Sequence, residues 1–326
     1  MENKHHSTDE RLKTISETYN KYGEVKAAEL LDITIETLKR RIREAKERDV
    51  YVQSANTTQS KYLNKILEKY SETELKIIAE GKTQILEKSK KLDINFEGNR
   101  VRIGVMTDAH IGHQKFYEQR LFAAFEEFKK EKVDFVCHAG DVTEGMSHRP
   151  GHIYELTHLG YDQQKKYAVE LFGQWADTPI YAIDGNHDRW YIKSNGAMIV
   201  KDIDRELSNF HFIGHDEGDI KLNDKVSIRL WHGEDGNSYA LSYRVQKILE
   251  SLQGGDKPSI MFCGHTHKYV KLFERNVHAI SIGCLEDQTK WMRGKRLAAN
   301  PGFGIYDITF NNTGITKLNE TFYPFY

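Results

Sequence analysis

The stretch "YAIDGNHDRW", Tyr181 to Trp190, decides how the chain is read. Tyr181 to Ile183 have the make-up of a buried strand's last residues. Asp184, Gly185, Asn186, His187 and Asp188 follow, with no apolar residue among them. A turn needs only the glycine and the asparagine. The imidazole and the carboxylates exceed that need, so the end of this strand serves something polar. The glycine is expected to let the backbone turn sharply there.

The flanking sequence repeats the pattern. "RVRIGVMT", "VDFVCHA" and "PIYAI" read as strands, separated by the helical stretches "EQRLFAAFEEFKKEK" and "YDQQKKYAVELFGQWA". That alternation is the βαβ signature of a layered α/β domain. Later strands, "VSIRLW", "SIMFC", "VHAISIG" and "GFGIYDITF", lack regular helical partners, which predicts a mixed sheet. Strand after strand ends in metal-type ligands. "TDAHIGH" offers Asp108 and His110, "HAGDVTEG" offers Asp141 and Glu144, "LWHGED" offers His232, and "MFCGHTHKY" offers His265 and His267. Two residues apart on an extended stretch, Asp108 and His110 would point the same way, as would His265 and His267. Carboxylates, imidazoles and an amide oxygen suit first-row divalent ions. Loops at the carboxyl ends of strands line the active crevice of α/β sheets.

The set "DAH…GD…GNHD…WHG…GHTH", in that order over about residues 100 to 290, resembles the calcineurin-like metallophosphoesterase superfamily. The resemblance implies a four-layer αββα sandwich with a dinuclear metal site. It implies two divalent ions, manganese foremost, with iron or zinc as alternatives. Asp108, His110 and His267 would hold one ion, Asn186, His232 and His265 the other, and Asp141 would bridge them. His187 would be the acid that protonates the leaving group. Glu144 stands where the family's protein phosphatases carry the acid that orients this histidine. Two ions roughly 3.5–4 Å apart can bridge a hydroxide, lower its pKa and clamp phosphate oxygens for in-line attack. The chain departs from the protein-phosphatase patterns: Gly145 and Asp184 stand where that branch has phosphate-binding arginines. A phosphodiester, with one charge at the reacting phosphate, needs fewer arginines. His148, Arg149, His152 and Arg189 are candidate substrate contacts.

Before residue 93 the pattern is helical. "STDERLKTISETYNKYG" opens with Ser7 and Glu10 at capping-box spacing, places Leu12, Ile15, Tyr19 and Tyr22 on one face, and stops at Gly23. "EVKAAELLDI" puts Val25, Ala28 and Leu31 at helical spacing, and Thr34 caps a third helix in which Leu38 and Ile42 face inward. Three short helices with a tight turn between the last two resemble a helix-turn-helix module. Its last helix contains "KRRIREAKER", six basic and two acidic residues, with Lys39, Arg40, Arg41 and Arg43 as candidate DNA contacts. The predicted organisation is a helix-turn-helix-like domain over 1–50, a linker and helical arm over 51–92, and a metallophosphoesterase domain over 93–326.

Composition sets limits. The 47 basic and 48 acidic side chains nearly cancel, so any polyanion site must be local. Fifteen histidines suit metal binding. Three widely spaced cysteines, without a C-x-x-C, argue against a disulfide scaffold or thiolate zinc, and they sit in strand contexts as small apolar fillers. The polar N-terminus and the absence of a long apolar run predict a cytoplasmic protein without membrane attachment. The functional expectation is a metal-dependent phosphodiesterase acting on DNA, a nuclease delivered by its N-terminal module. Domain order resembles proteins encoded by bacteria, phages or prophages. The alternatives are a hydrolase of small phosphoesters or nucleotides whose N-terminal helices drive homo-oligomer assembly, and a DNA-binding regulatory protein.

Overall fold

The computed structural model describes residues 8–52, 91–94, 96–234 and 240–326. The chain divides into two compact units, Met1–Ile85 and Leu86–Tyr326.

In the first unit, α1 spans Asp9–Leu30 and α2 spans Ile35–Glu47. Gly23, at φ 77° and ψ 176°, breaks α1 into the two helices expected from sequence. The residue preceding α1 is Thr8, whose side chain makes no capping bond; Ser7 lies outside the described residues. Thr34 caps α2 by accepting from the Thr37 amide at 3.2 Å. Leu12, Ile15, Ala27, Ala28, Leu38 and Ile42 are buried. Val25 and Tyr22 are not: Val25 is 70% exposed, because the break at Gly23 turns the following helix so that Ala27 and Ala28 face inward.

The second unit stacks four layers. One sheet runs, in spatial order, β12 (Gly314–Pro324), β11 (Gly302–Asn311), β2 (Arg100–Met106), β3 (Phe135–Ala139), β4 (Ile180–Asp184) and β5 (Phe210–His215). The other runs β1 (Lys91–Asp93), β6 (Glu217–Lys221), β7 (Ser227–Trp231), β8 (Ile260–Cys263), β10 (Val277–Ile282) and β9 (Tyr269–Glu274). Both are mixed: β2, β3, β4 and β5 pair in parallel, while β11 pairs antiparallel with β2.

Period-two alternation gives the central strands two apolar faces. On β3, Phe135 and Cys137 point into the intersheet core with Ile220, Ile228, Phe262 and Ile280. Val136 points the other way, toward α3 (Glu118–Lys130), α4 (Gly160–Phe172) and α6 (Ile199–Glu206), which follows the short α5 (Arg189–Asn195). On the far side, Met261 and Ala279 pack against Val245 and Leu249 of α7 (Tyr243–Ser251). This is an αββα sandwich. All three cysteines are buried and free. Among the described residues no helix is long and apolar enough to cross a membrane.

Candidate metal centre

The carboxyl ends of five strands meet at one edge of the sandwich. Asp108 and His110 follow β2, Asp141 follows β3, and Asn186 and His187 follow β4. From the opposite sheet, His232 follows β7, and His265 and His267 follow β8. The expectation that paired residues converge through strand alternation does not hold. β2 ends at Met106 and β8 at Cys263. Asp108, His110, Asp141, His265 and His267 have φ of 50°, 52°, 50°, 70° and 54°. Left-handed backbone at a non-glycine residue costs about 1–2 kcal/mol, and five such residues at one site mark a function that the surrounding fold sustains.

Two glycines make the approach feasible. A Cβ on Gly140, at φ 92°, would lie 2.4 Å from His232 Nδ1. A Cβ on Gly185 would lie 2.1 Å from Asp141 Oδ1. Gly185 therefore serves close approach, and the sharp turn expected of it from sequence is not its role: it lies outside the residues with positive φ.

The ligand atoms form linked groups. One holds Asp108, His110 and His267, another Asp141, His232 and His265, each within 4.8 Å, and the same closeness joins His110 with Asp141 and His187 and with Glu144 and Glu286. Asp141 lies between them, with Oδ2 3.0 Å from His232 Nε2 and 3.7 Å from His110 Nε2. His265 Nδ1 donates to Asn186 Oδ1 at 2.8 Å, which brings the amide to the second group.

Two ring tautomers show that this set fits cations. His232 Nδ1 donates to the Ala139 carbonyl at 2.8 Å, so Nε2 carries a lone pair. That nitrogen is buried, lacks a hydrogen-bond partner and faces the Asp141 carboxylate. His110 Nδ1 donates to Glu144 at 2.7 Å, which aims Nε2 at His267 Nε2, 3.2 Å away. Electron-rich atoms facing each other at these distances repel unless a cation sits among them. Burial pulls His232 down, yet Asp141 outweighs it and lifts the ring to about 9, so without an ion Nε2 takes up a proton, which a divalent ion would displace. Burial likewise pushes Asp108 up, and His267, His110 and His232 overcome it and hold the carboxyl well below its usual range. Mixed nitrogen and oxygen donors of this kind suit divalent first-row ions.

Glu144 anchors three histidines. It accepts from His110 Nδ1 at 2.7 Å, His152 Nε2 at 2.7 Å and His187 Nδ1 at 3.2 Å. His187 Nδ1 also donates to the Glu144 carbonyl at 3.0 Å, and its amide donates to Asp141 Oδ1 at 2.8 Å. The indole of Trp190 covers the ring at 3.9 Å. Burial lowers the His187 pKa, but Glu144 and Asp141 outweigh it and raise the ring above its ordinary value.

Of the candidate substrate contacts, Arg149 alone lines the cavity beside this centre, a space of about 480 Å³, and it pairs with Glu155. His148 is exposed and off the cavity wall. The expectations for His152 and Arg189 are corrected. His152 turns inward to Glu144, and the buried Arg189 guanidinium is spent on Asp184, Asp216 and Glu234.

Sequence reading missed Glu286, which is buried with Oε2 3.9 Å from both His110 Nε2 and His267 Nδ1. The signal was a sixth strand, β10, ending in an acid. Asp188, one of the carboxylates of the opening stretch, accepts from the amides of Val142, Thr143 and Gly185 and from the Thr143 hydroxyl, tying two ligand loops together. Burial and Asp141 push this carboxyl up to about 6. Asp188→Ala strips the acceptor from these buried donors, and an unsatisfied donor costs about 1–3 kcal/mol. Urea unfolding of the metal-free variant should show a loss of at least about 3 kcal/mol, the sum over three orphaned amides at the low end of that range. A loss under about 1 kcal/mol would mean that Asp188 does not hold the loops.

In the N-terminal unit, Lys39 pairs with Glu24 and Arg41 with Glu44, both at 2.7 Å. Lys39, Arg40 and Arg43 are exposed.

Residues 101–269 match the model of the calcineurin-like phosphoesterase family. Among curated relatives, the DNA polymerase II small subunit of Methanothermobacter thermautotrophicus is 23% identical over 263 residues, covering 67% of this chain and 53% of the relative. That of Archaeoglobus fulgidus is 25% identical over 258 residues, covering 64% and 52%. The chain spans about half the length of the curated relatives it matches. A solved structure described as a novel archaeal phosphodiesterase is 21% identical, with a TM-score of 0.40 over 68% of this chain and 99% of the other.

Proposed function

The chain belongs to the calcineurin-like phosphoesterase family, metal-dependent hydrolases of phosphoesters, and from that premise we propose that it is a phosphodiesterase acting on DNA. Asp108, His110 and His267 would hold one divalent ion, Asn186, His232 and His265 would hold a second, and Asp141 would be shared between them. The carrying observation is that shared carboxylate, 3.0 Å from a buried histidine nitrogen whose lone pair has no other partner.

When bound, the ions, manganese foremost, polarise the phosphate and provide a nucleophile at neutral pH. The protein's part is positioning and proton supply. Glu144 fixes the His187 ring through Nδ1, which leaves Nε2 to carry the proton the leaving oxygen needs. Glu144 also fixes His110, so one carboxylate couples the proton donor to a ligand. The cavity's described lining contains one arginine, Arg149, already paired, and no lysine. That poverty of cations suits a diester monoanion better than a monoester dianion.

DNA is favoured by two observations. Curated relatives are small subunits of a DNA polymerase, and α2 presents Arg40 and Arg43 to solvent. Residues 1–50 then serve as the DNA-holding module, 51–92 as a connecting arm and 93–326 as the catalytic domain. The test is hydrolysis by the manganese-loaded protein of bis-p-nitrophenyl phosphate, p-nitrophenyl phosphate, and single- and double-stranded DNA. The diester and at least one DNA should be cleaved, and preference for the monoester would overturn the proposal.

A separate prediction concerns the module. Arg40→Ala with Arg43→Ala should weaken duplex binding and flatten its log–log salt slope by about 2, at roughly 0.9 per phosphate contact. Alanine preserves the helix. Fluorescence anisotropy across a salt series reads both quantities. An unchanged slope would assign the module to assembly, and light scattering on a chain lacking residues 1–50 would then show a smaller particle.

A further inference from the structure

The cavity beside the metal centre has one wall unlike the rest. Thr289, Trp291, Met292 and Leu297 form it, on and around the short helix α8 (Lys290–Gly294). The seven residues "KWMRGKR", Lys290 to Arg296, contain four cations and no acid, in a chain whose basic and acidic side chains nearly cancel. Lys290, Arg293, Lys295 and Arg296 are all exposed, and none forms an ion pair among the described residues. Trp291 is 47% exposed, an unusual position for the largest apolar side chain.

This element is held firmly. Thr289 caps α8 by accepting from the Met292 amide at 3.1 Å. The buried Met292 carbonyl accepts from Leu297 at 2.9 Å, and Gln288 donates to the Leu297 carbonyl at 2.7 Å. The indole is therefore placed at the cavity rim, with the four exposed cations close to it in sequence. Across the same cavity, Trp190 covers His187. A ring to stack on, carried by a segment of exposed cations beside a phosphoester site, matches a base and its neighbouring phosphates.

We propose that the rim segment Lys290–Arg296 binds single-stranded DNA, with Trp291 stacking on an unpaired base and the four cations meeting the flanking phosphates. Pairing excludes a duplex: its bases already have both faces stacked, and an indole reaches a face only when the base is free. The proposal deepens, and rests on, the DNA-phosphodiesterase reading. It assigns the substrate as an unpaired stretch or end.

The test uses the full chain loaded with manganese and a fluorescein-labelled oligo-dT, phosphorothioate-linked to resist cleavage, read by anisotropy. Trp291→Ala should weaken binding roughly 5- to 100-fold, while Trp291→Phe keeps most of it. Changing Lys290, Arg293, Lys295 and Arg296 to Gln should flatten the salt slope by about 3, at roughly 0.7 per single-strand phosphate contact. Thermal melting controls for folding, and duplex binding should move far less than oligo-dT binding. If Trp291→Ala and the four-fold variant bind oligo-dT like the parent, the inference is overturned. Tighter binding of oligo-rU than oligo-dT by the parent overturns the assignment to DNA. Cleavage of unmodified oligo-dT separates the two readings. Binding that the variants lose, without cleavage, upholds the rim and removes the nuclease. Cleavage and binding that no variant affects uphold the nuclease and remove the rim. A parent that neither binds nor cleaves oligo-dT overturns both.

Discussion

Asp141→Asn is expected to abolish phosphodiester turnover and to lose at least one of two bound ions. Asp141 lies between the two ligand groups, 3.0 Å from His232 Nε2 and 3.7 Å from His110 Nε2. An amide has one weak acceptor oxygen and no charge, so it cannot serve two cations. The substitution also alters the Oδ1 position that accepts from the His187 amide, and so loosens the proton donor. Loss of several kcal/mol of charge stabilisation corresponds to a fall in kcat on the order of 10³-fold or more. The carboxylate is buried, and the surrounding histidines hold its pKa down against the upward push of burial. It is thus ionised throughout the working pH range, and the effect should not be rescued by raising pH. Metal analysis of the purified variant alongside its turnover decides the matter. Two ions per chain with normal turnover would sink the bridging role.

His187→Ala is expected to keep both ions and lose rate, on the order of 10²–10⁴-fold for a general acid. The ring is engaged through Nδ1 by Glu144, and each of the two expected ligand sets is complete without it. The loss should shrink on aryl esters, whose leaving group departs without a proton, and stay large on DNA, whose alkoxide does not. A Brønsted series on aryl and alkyl diesters measures it. Equal loss across the series would reject proton donation and leave His187 a charge stabiliser only. Glu144→Gln should reproduce part of the leaving-group dependence, since the amide still accepts from one histidine but no longer opposes charge on all three.

The strand ends were legible because a run such as "DGNHD" has no apolar reason to follow "YAI", and five of them in order leave little freedom. What the sequence could not convey is how they converge. Alternation along a strand suggests that Asp108 and His110 share a face, but both lie past the end of β2 in left-handed backbone. Burial and the bonds from the Asp108 and His110 amides to the Gly140 and Asp141 carbonyls accompany that conformation, and neither is local. Gly185 was legible as a glycine that matters, though its reason is Asp141, just past the end of the adjacent strand. Glu286 and Trp291 carry no motif: one acid after a strand and one tryptophan in a basic run acquire meaning only beside His267 and the cavity. β12 is an edge strand rich in polar residues, so the hydrophobic signal that marks β3 or β8 is missing from it. In α2, composition alone could not separate Arg40 and Arg43, which face solvent, from Arg41, which Glu44 neutralises.

The central claim is that one shared carboxylate organises two ions for diester hydrolysis. Titrating metal-free protein with manganese while following bis-p-nitrophenyl phosphate hydrolysis tests it most directly. The account predicts that turnover rises to a plateau at two equivalents of bound ion per chain. A plateau at one equivalent, or two bound ions without diester cleavage, would contradict it.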